Sequence, residues 1–399
     1  PEEDKPTAIA TWAGFAGAGG ILGLFLSAAI VDNATWPWVF ALPVVLGLAA
    51  LALSIISVGD SREEAGARFD LGGSILSALA IGGLVLGVQE GPERGWTAPL
   101  TLGGLVVGAA AMLAFVAWER RQVEPLFDVR LFEDRRLAAG SVSLLVGFGV
   151  MFGLFLVLLQ FLMAVLGYTA LRSATGLLPM AVVMMGGSNL APRVVERLGT
   201  RRTLMAGLGL FTGGLVWFAT MVSAAGGYWS LLPGLLVLGA GMALTMTPAT
   251  TAITGALPAE KQGVASALND TVRELGGALG VALLGSVLNH GYRTSIVDAG
   301  SARLPEQVRG VVESGIGGAL AVAQKVGPAA DPIVTAARGA FMDGWPAAMW
   351  VAVAASALAF GFVAVLGPRD EPAEVAPEAP SGDQMRPASR SSRSAALTA

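Results

Sequence analysis

Residues Leu137–Phe161 read LAAGSVSLLVGFGVMFGLFLVLLQF, a run with no charged side chain, and Glu133, Asp134, Arg135 and Arg136 stand just before it. About 20 apolar residues at 1.5 Å per residue cross a hydrocarbon core some 30 Å thick. This stretch therefore reads as one membrane-spanning helix with a charged foot. The same pattern recurs on both sides of it, at Ala8–Val31, Trp36–Val58, Leu71–Val88, Leu100–Trp118, Ser173–Ala191, Thr203–Ala224, Leu231–Ala256, Val264–Asn289 and Trp345–Leu366. Ten spans are expected, in an all-α, polytopic transmembrane bundle. The apolar/polar alternation of a membrane β-barrel is absent.

Composition supports lipid as the solvent. Hydrophobic residues make up 54% of the 399 and charged residues 14%, where soluble domains carry about 25% charge; mean hydropathy is +0.66. There is no cysteine and one histidine, His290, which excludes disulfides, thiol catalysis, zinc sites and haem ligation. None of Lys5, Lys261 and Lys325 follows a glycine, so no phosphate-binding P-loop is present. Ser286 and His290 lie one turn apart without an orienting acid. No enzyme activity, cofactor, metal or nucleic-acid partner is expected.

Orientation follows from the short loops. With the N-terminus inside, Arg62, Arg68, Arg120, Arg121, Arg135, Arg136, Arg193, Arg197, Arg201 and Arg202 are cytoplasmic, and the opposite short loops hold only Arg94 and Arg172. Both termini are then cytoplasmic, in the cell membrane. His290–Gly344 becomes a long extracytoplasmic segment, with surface helices expected near Leu304–Val326. Gly367–Ala399, rich in Pro, Ala, Ser and charge, has too little apolar surface to fold and reads as a disordered tail.

Charge inside a span is costly, about 2.5–3.5 kcal/mol at a bilayer centre on insertion scales, and marks function by default. Asn269-Asp270-Thr271-Val272-Arg273-Glu274 supplies it in the ninth span. Asp270 lies one helical turn from both Arg273 and Glu274. One guanidinium cannot fully neutralise two carboxylates, so one of them should take up a proton more readily. The competing reading is a solvated cytoplasmic mouth with Arg273 anchoring a neighbouring helix; between the two acids Glu274, one turn deeper, is preferred. Gly276-xxx-Gly280 follows at once, and Gly19-xxx-Gly23 stands in the first span near Gly14, Gly17 and Gly20. Such spacing allows backbones to cross closely.

Gln160, Asn189, Thr247 and Thr250 are polar positions within spans, with Thr245, Thr251 and Thr254 extending the threonine stripe and Pro179 and Pro248 able to bend their helices. They either line a pocket or bond neighbouring helices. The turn Glu196-Arg197-Leu198-Gly199-Thr200-Arg201-Arg202 has the charge and tightness to hold two helix ends by salt bridges that break on rocking.

In their order and spacing these elements resemble the fourteen-span drug:proton antiporters of the major facilitator superfamily. The resemblance runs through Gly17–Gly23, Glu90–Trp96, Glu119 to Phe132, Gln160 to Pro179, Glu196–Arg202, Ala267–Gly277 and Ala340–Gly344. In that family the glycine-rich fifth span carries an antiporter motif, to which Gly17, Gly19 and Gly23 correspond; Leu24 stands in place of its proline and Ser27–Ala28 in place of its paired glycines. Glu196–Arg202 is similar to the second copy of the family's cytoplasmic loop motif, with Glu196 replacing an aspartate.

The resemblance implies a major facilitator fold: residues 1–58 as the last two helices of the N-terminal half, 59–136 as an extra central helix pair with linkers, 137–366 as the six-helix C-terminal half containing the 290–344 loop, and 367–399 as the tail. Pro1–Thr7 matches the loop before the family's fifth span, so the chain is expected to lack four helices of its parent protein and to depend on them as partners. The implied activity is proton-driven export of small amphipathic compounds across the lipid bilayer by alternating access. Glu274, Asp270 and Arg273 would couple protons, Gln160, Asn189, Thr247 and Thr250 would line the pocket, and Glu196, Arg197, Gly199, Arg201 and Arg202 would latch the cytoplasmic face. Symport or uniport of a small solute, or a fragment that does not transport alone, are the rival expectations.

Overall fold

The chain is described by a computed structural model covering residues 19, 22–57, 70–122, 128–257, 262–301 and 304–368. Gly17, most of the first expected span and all but the first two residues of the tail lie outside them. Among the described residues nine helices are long and apolar enough to cross a membrane, so the protein is a multi-pass membrane protein. The helices are α1 (Leu22–Asn33), α2 (Trp38–Ser57), α3 (Leu71–Arg94), α4 (Pro99–Glu119), α5 (Arg135–Gln160), α6 (Ala170–Gly176), α7 (Leu178–Leu198), α8 (Thr200–Met221), α9 (Gly227–Gly255), α10 (Gln262–Asp298), α11 (Glu306–Glu313), α12 (Ile316–Val326) and α13 (Asp331–Leu366).

Short polar signals set the helix ends. Asp134 caps α5 by accepting from the Arg136 N–H at 2.6 Å, and Asp70 caps α3 by accepting from the Gly73 N–H at 2.9 Å, satisfying donors with no intrahelical partner. Gly199, at φ +82°, ends α7 with its N–H on the Val195 carbonyl at 2.8 Å, and α8 starts at the next residue. The glycine of the Glu196–Arg202 turn is thus required by a backbone that side chains with a Cβ rarely adopt. Pro179 lies in the first turn of α7, where its fixed φ starts the helix instead of bending it; Pro248 is inside α9.

The bundle is organised around α5, which packs on α9, α10 and α13; α8 packs on α9 and α13, α7 on α9, and α3 on α4 and α10. One core cluster, containing Leu137, Leu204, Ile253 and Val363, sits at the end bearing the arginine-rich turns. The larger one fills the middle and far end, where Phe161, Phe218 and Phe341 surround the buried Trp345. The Trp345 indole N–H donates to the Phe218 carbonyl at 2.8 Å, so its polar edge is satisfied.

Glycine crossings bring backbones together. Gly149 and Gly153 of α5 face Gly276 and Gly280 of α10, where a Cβ on Gly280 would enter the Gly149 carbonyl and one on Gly153 would stand 2.5 Å from the Gly280 oxygen. Gly83 and Gly87 of α3 meet Gly104 and Gly108 of α4 in the same way. The expected Gly276-xxx-Gly280 crossing is present, with α5 as its partner.

The segment 290–344, read from hydropathy as a loop, is mostly helix. α10 continues to Asp298 and α13 starts at Asp331, well beyond the ends expected at Asn289 and Trp345. Tyr292 and Ile296 are buried against a cap formed by α11 and α12, together with Val312, Ile316 and Ala319, and the Tyr292 hydroxyl donates to the Val312 carbonyl at 2.9 Å. A hydropathy window registers exposure to lipid and misses an apolar stripe covered by protein. Tyr292→Phe should keep this cap in place but lower stability by about 1 kcal/mol, the net value of one such bond, read as a modest fall in the detergent-solubilised melting temperature.

Candidate functional site

The feature best suited to a ligand is a cavity of about 1270 Å³ between α5, α10 and α12, closed on one side by Val85 and Gln89 of α3. Ligand pockets commonly measure about 300–1,000 Å³, so this one has room for a drug-sized molecule. Glycines 277 and 285 of α10 open space on one wall, and Phe152, Leu156, Met163, Tyr168 and Phe341 supply apolar surface. At the end of α5 the helix widens into a π-turn over Phe161–Val165, a departure found most often at functional positions. That turn puts Met163 and Ala164 on the cavity wall, and the Arg338 side chain braces it by donating to the Ala164 carbonyl at 2.9 Å.

Polar groups mark the two ends of this cavity. Gly149 faces Gly276 and Gly153 faces Gly280, so α5 and α10 run parallel with a constant offset, and Gln160 stands at the level of Val287. Gln160, Ser286 and Asn289 therefore lie at one level at the far end, and Gln324 of α12 also lines the cavity. Glu274 lies on α10 about 22 Å from Asn289 at 1.5 Å per residue. Among the described lining residues Glu274 is the sole charged group, so the cavity attracts cations and repels anions.

Next to Glu274 the charges are separated. The Arg273 guanidinium lies 4.3 Å from the centre of the Phe148 ring and 3.8 Å from the Asp270 carboxylate; neither Arg273 nor Asp270 lines the cavity. Among the described residues Glu274 has no ion-pair partner. The Arg273–Asp270 pair is half exposed and contributes little stability, but it engages the cation that could otherwise have neutralised Glu274.

The structure brings Gln160, of the expected pocket residues, and Glu274, of the expected proton-coupling residues, into one cavity at opposite ends. Asn189 is exposed on α7, and Thr247 and Thr250 lie on α9 away from this lining. The threonine hydroxyls bond back along their own helix, Thr251 to the Thr247 carbonyl and Thr254 to the Thr250 carbonyl, each at 3.0 Å, which satisfies them without a ligand. Gly19 and Gly23 have open space where a Cβ would stand. In the Glu196–Arg202 turn, the Arg201 side chain donates to the Ala364 carbonyl at the end of α13, tying neighbouring helices of the same bundle. Glu196 and Arg197 form no ion pair among the described residues.

Sequence reasoning missed Gln89, Tyr168, Asn289 and the α12 residues Ile316–Gln324 as cavity groups. Gln89, the residue just past an expected span, was a usable signal; α12 offered none, because its place against α10 is a tertiary fact.

The profile of the Major Facilitator Superfamily matches residues 1–281. The chain belongs to the Major Facilitator Superfamily. Within the superfamily it is 35% identical over 288 residues to the multidrug resistance protein Stp of Mycobacterium tuberculosis, covering 72% of this chain and 53% of that protein. It is 31% identical over 379 residues to the tetracenomycin C resistance and export protein of Streptomyces glaucescens, covering 93% and 70%. A multidrug resistance protein B homolog of M. tuberculosis shares 30% over 308 residues, 76% and 56% of the two chains. The chain spans about half the length of Stp and of the protein B homolog. Superfamily membership accounts for a bundle of spans with a large cavity between them.

Proposed function

We propose that the chain is the greater part of a proton-coupled exporter of small amphipathic compounds, working by alternating access in the cell membrane. The observation that carries this reading is Glu274: a carboxylate with no ionic partner among the described residues, in the wall of a drug-sized cavity, inside a span. A carboxylate so placed is open to a proton and to a cationic solute alike, and exchange of one for the other requires such a group. The names of the relatives, which concern multidrug resistance and tetracenomycin C export, support the direction and the substrate type.

In this reading residues 137–366 form one transporter half, 1–58 the end of the other and 59–136 the helix pair between them, with both termini cytoplasmic. Four further helices of the parent protein would complete the first half. Glu274 then faces the cytoplasmic part of the cavity and Gln160, Ser286 and Asn289 its extracytoplasmic part. Substrates are neutral or cationic, with an apolar body for Phe152, Leu156 and Phe341 and a polar end for Gln160. Asp270 and Arg273 act beside Glu274 by holding each other. Asn189, Thr247, Thr250, Gly17, Gly19, Gly23 and the Glu196–Arg202 turn act in the complete two-half transporter.

The test is collapse of a pH gradient in everted vesicles on adding compounds from an amphipathic panel. Collapse with neutral and cationic members but not anionic ones supports the reading; no collapse with the protein inserted and folded sinks proton antiport. Gln160→Leu removes one hydrogen-bond partner and should weaken apparent affinity for substrates with a polar end by roughly tenfold, about 1.4 kcal/mol. Purely apolar substrates should be unaffected, as competition assays on the same vesicles would show.

A further inference from the structure

Asp32, at the turn between α1 and α2, bonds to a helix far along the chain. Its two carboxylate oxygens accept from the Ala170 and Leu171 N–H groups of α6, each at 2.9 Å. The first N–H groups of a helix have no partner within it. Thr169 satisfies one of them, accepting from the Arg172 N–H at 3.2 Å, and Asp32 takes the other two. A carboxylate there also meets the positive end of the helix dipole, and hydrogen bonds to an ionised group are about twice as strong as neutral ones. The Leu171 N–H, as the largest influence, holds the Asp32 carboxyl below the usual carboxylate range, so the group stays ionised through neutral pH. The Thr169 side chain also bonds to Asp32, and among the described residues no hydrogen bond or ion pair outside this contact joins α1 or α2 to the rest.

The place of this contact links it to the cavity. Thr169 directly follows Tyr168, which lines the far end, and the Arg172 guanidinium lies 3.8 Å from the centre of the Tyr168 ring. The first turn of α6 is therefore held by Asp32 on one side and continuous with the cavity wall on the other.

We propose that Asp32 is the latch of an extracytoplasmic gate, holding the α1–α2 turn against α6 while the cavity is closed on that face. The proposal rests on the alternating-access reading, in which α1 and α6 belong to opposite halves. Rocking that opens the outer face separates them, breaks both bonds together and leaves the Ala170 and Leu171 N–H groups to water. Closure restores the cap. Asp32 thus sets how often the outer face opens, without touching substrate.

The chain has no cysteine, so a single introduced thiol reports cleanly. Ser286→Cys puts one in the cavity wall, to be labelled in right-side-out vesicles by a membrane-impermeant maleimide. Asp32→Asn should raise the outside labelling rate several-fold, and Asp32→Glu, which keeps the charge, should stay near the parent rate. Asn33→Cys with Leu171→Cys should cross-link readily on oxidation in the parent and less in the Asp32→Asn background; the cross-link also checks that the variant folds. Unchanged labelling and unchanged cross-linking overturn the latch. Everted vesicles separate its failure from that of the transport reading. Outside labelling that rises while cytoplasmic labelling falls supports both, whereas a rise outside with no fall inside keeps the latch and removes alternating access.

Discussion

Glu274→Gln is expected to reduce substrate-induced proton movement to background while the protein stays folded and still binds its substrate. The substitution keeps side-chain size and hydrogen bonding but removes the one charged group of the described cavity wall. Because Arg273 is engaged by Asp270 at 3.8 Å and by the Phe148 ring, no cation is left buried and unpaired by the change. The outcome should therefore be specific to coupling: pH-gradient collapse disappears, while substrate exchange without a gradient persists. Asp270→Asn, which frees Arg273 to approach Glu274, should weaken coupling only in part. If Glu274→Gln transports against a gradient as well as the parent, Glu274 has no part in the mechanism.

Gly280→Val should prevent the protein from accumulating in a folded form. The Cβ would enter the Gly149 carbonyl; in the same crossing a Cβ on Gly276 would press on the Leu145 carbonyl and one on Gly153 would stand 2.5 Å from the Gly280 oxygen. The obstacle is backbone, which cannot swing aside as a side chain end can, so α5 and α10 must part along their length. Overpacking commonly costs about 1–3 kcal/mol; here the cost falls at the upper end or beyond, since the dispersion contacts of a whole helix pair are reduced with it. Gly263→Ala, where a Cβ meets nothing within 4 Å, is the matched control. Size-exclusion profiles and melting temperatures in detergent separate the two; a Gly280→Val protein that elutes and melts like the control would show that the crossing is looser than drawn.

Glu274 was legible because a charge within an apolar run stands out from any distance along the chain. Asn189, Thr247 and Thr250 were chosen by the same logic and lie outside the cavity. A hydroxyl can satisfy itself on its own helix, as Thr251 and Thr254 do, whereas an ionised carboxylate in a span has no such escape. Gln160 was chosen by that logic too and lines the cavity, yet its distance from Glu274 came only from the register of α5 on α10.

By itself the sequence determined that lipid is the solvent, where the long apolar helices run, that α10 carries glycines spaced for a close crossing, and which ninth-span residues bear charge. These are properties of composition and spacing within one segment, and a bilayer some 30 Å thick converts them directly into structure. Only the tertiary structure decided that α10 and α13 extend beyond the apolar runs under a cap of α11 and α12, that Arg273 turns to Asp270 and leaves Glu274 to the cavity, and that Asp32 completes the cap of α6. Each depends on which surfaces of separate helices meet, across more than a hundred residues for Asp32, or on how one helix is turned against another, and the sequence of a single segment carries no record of either.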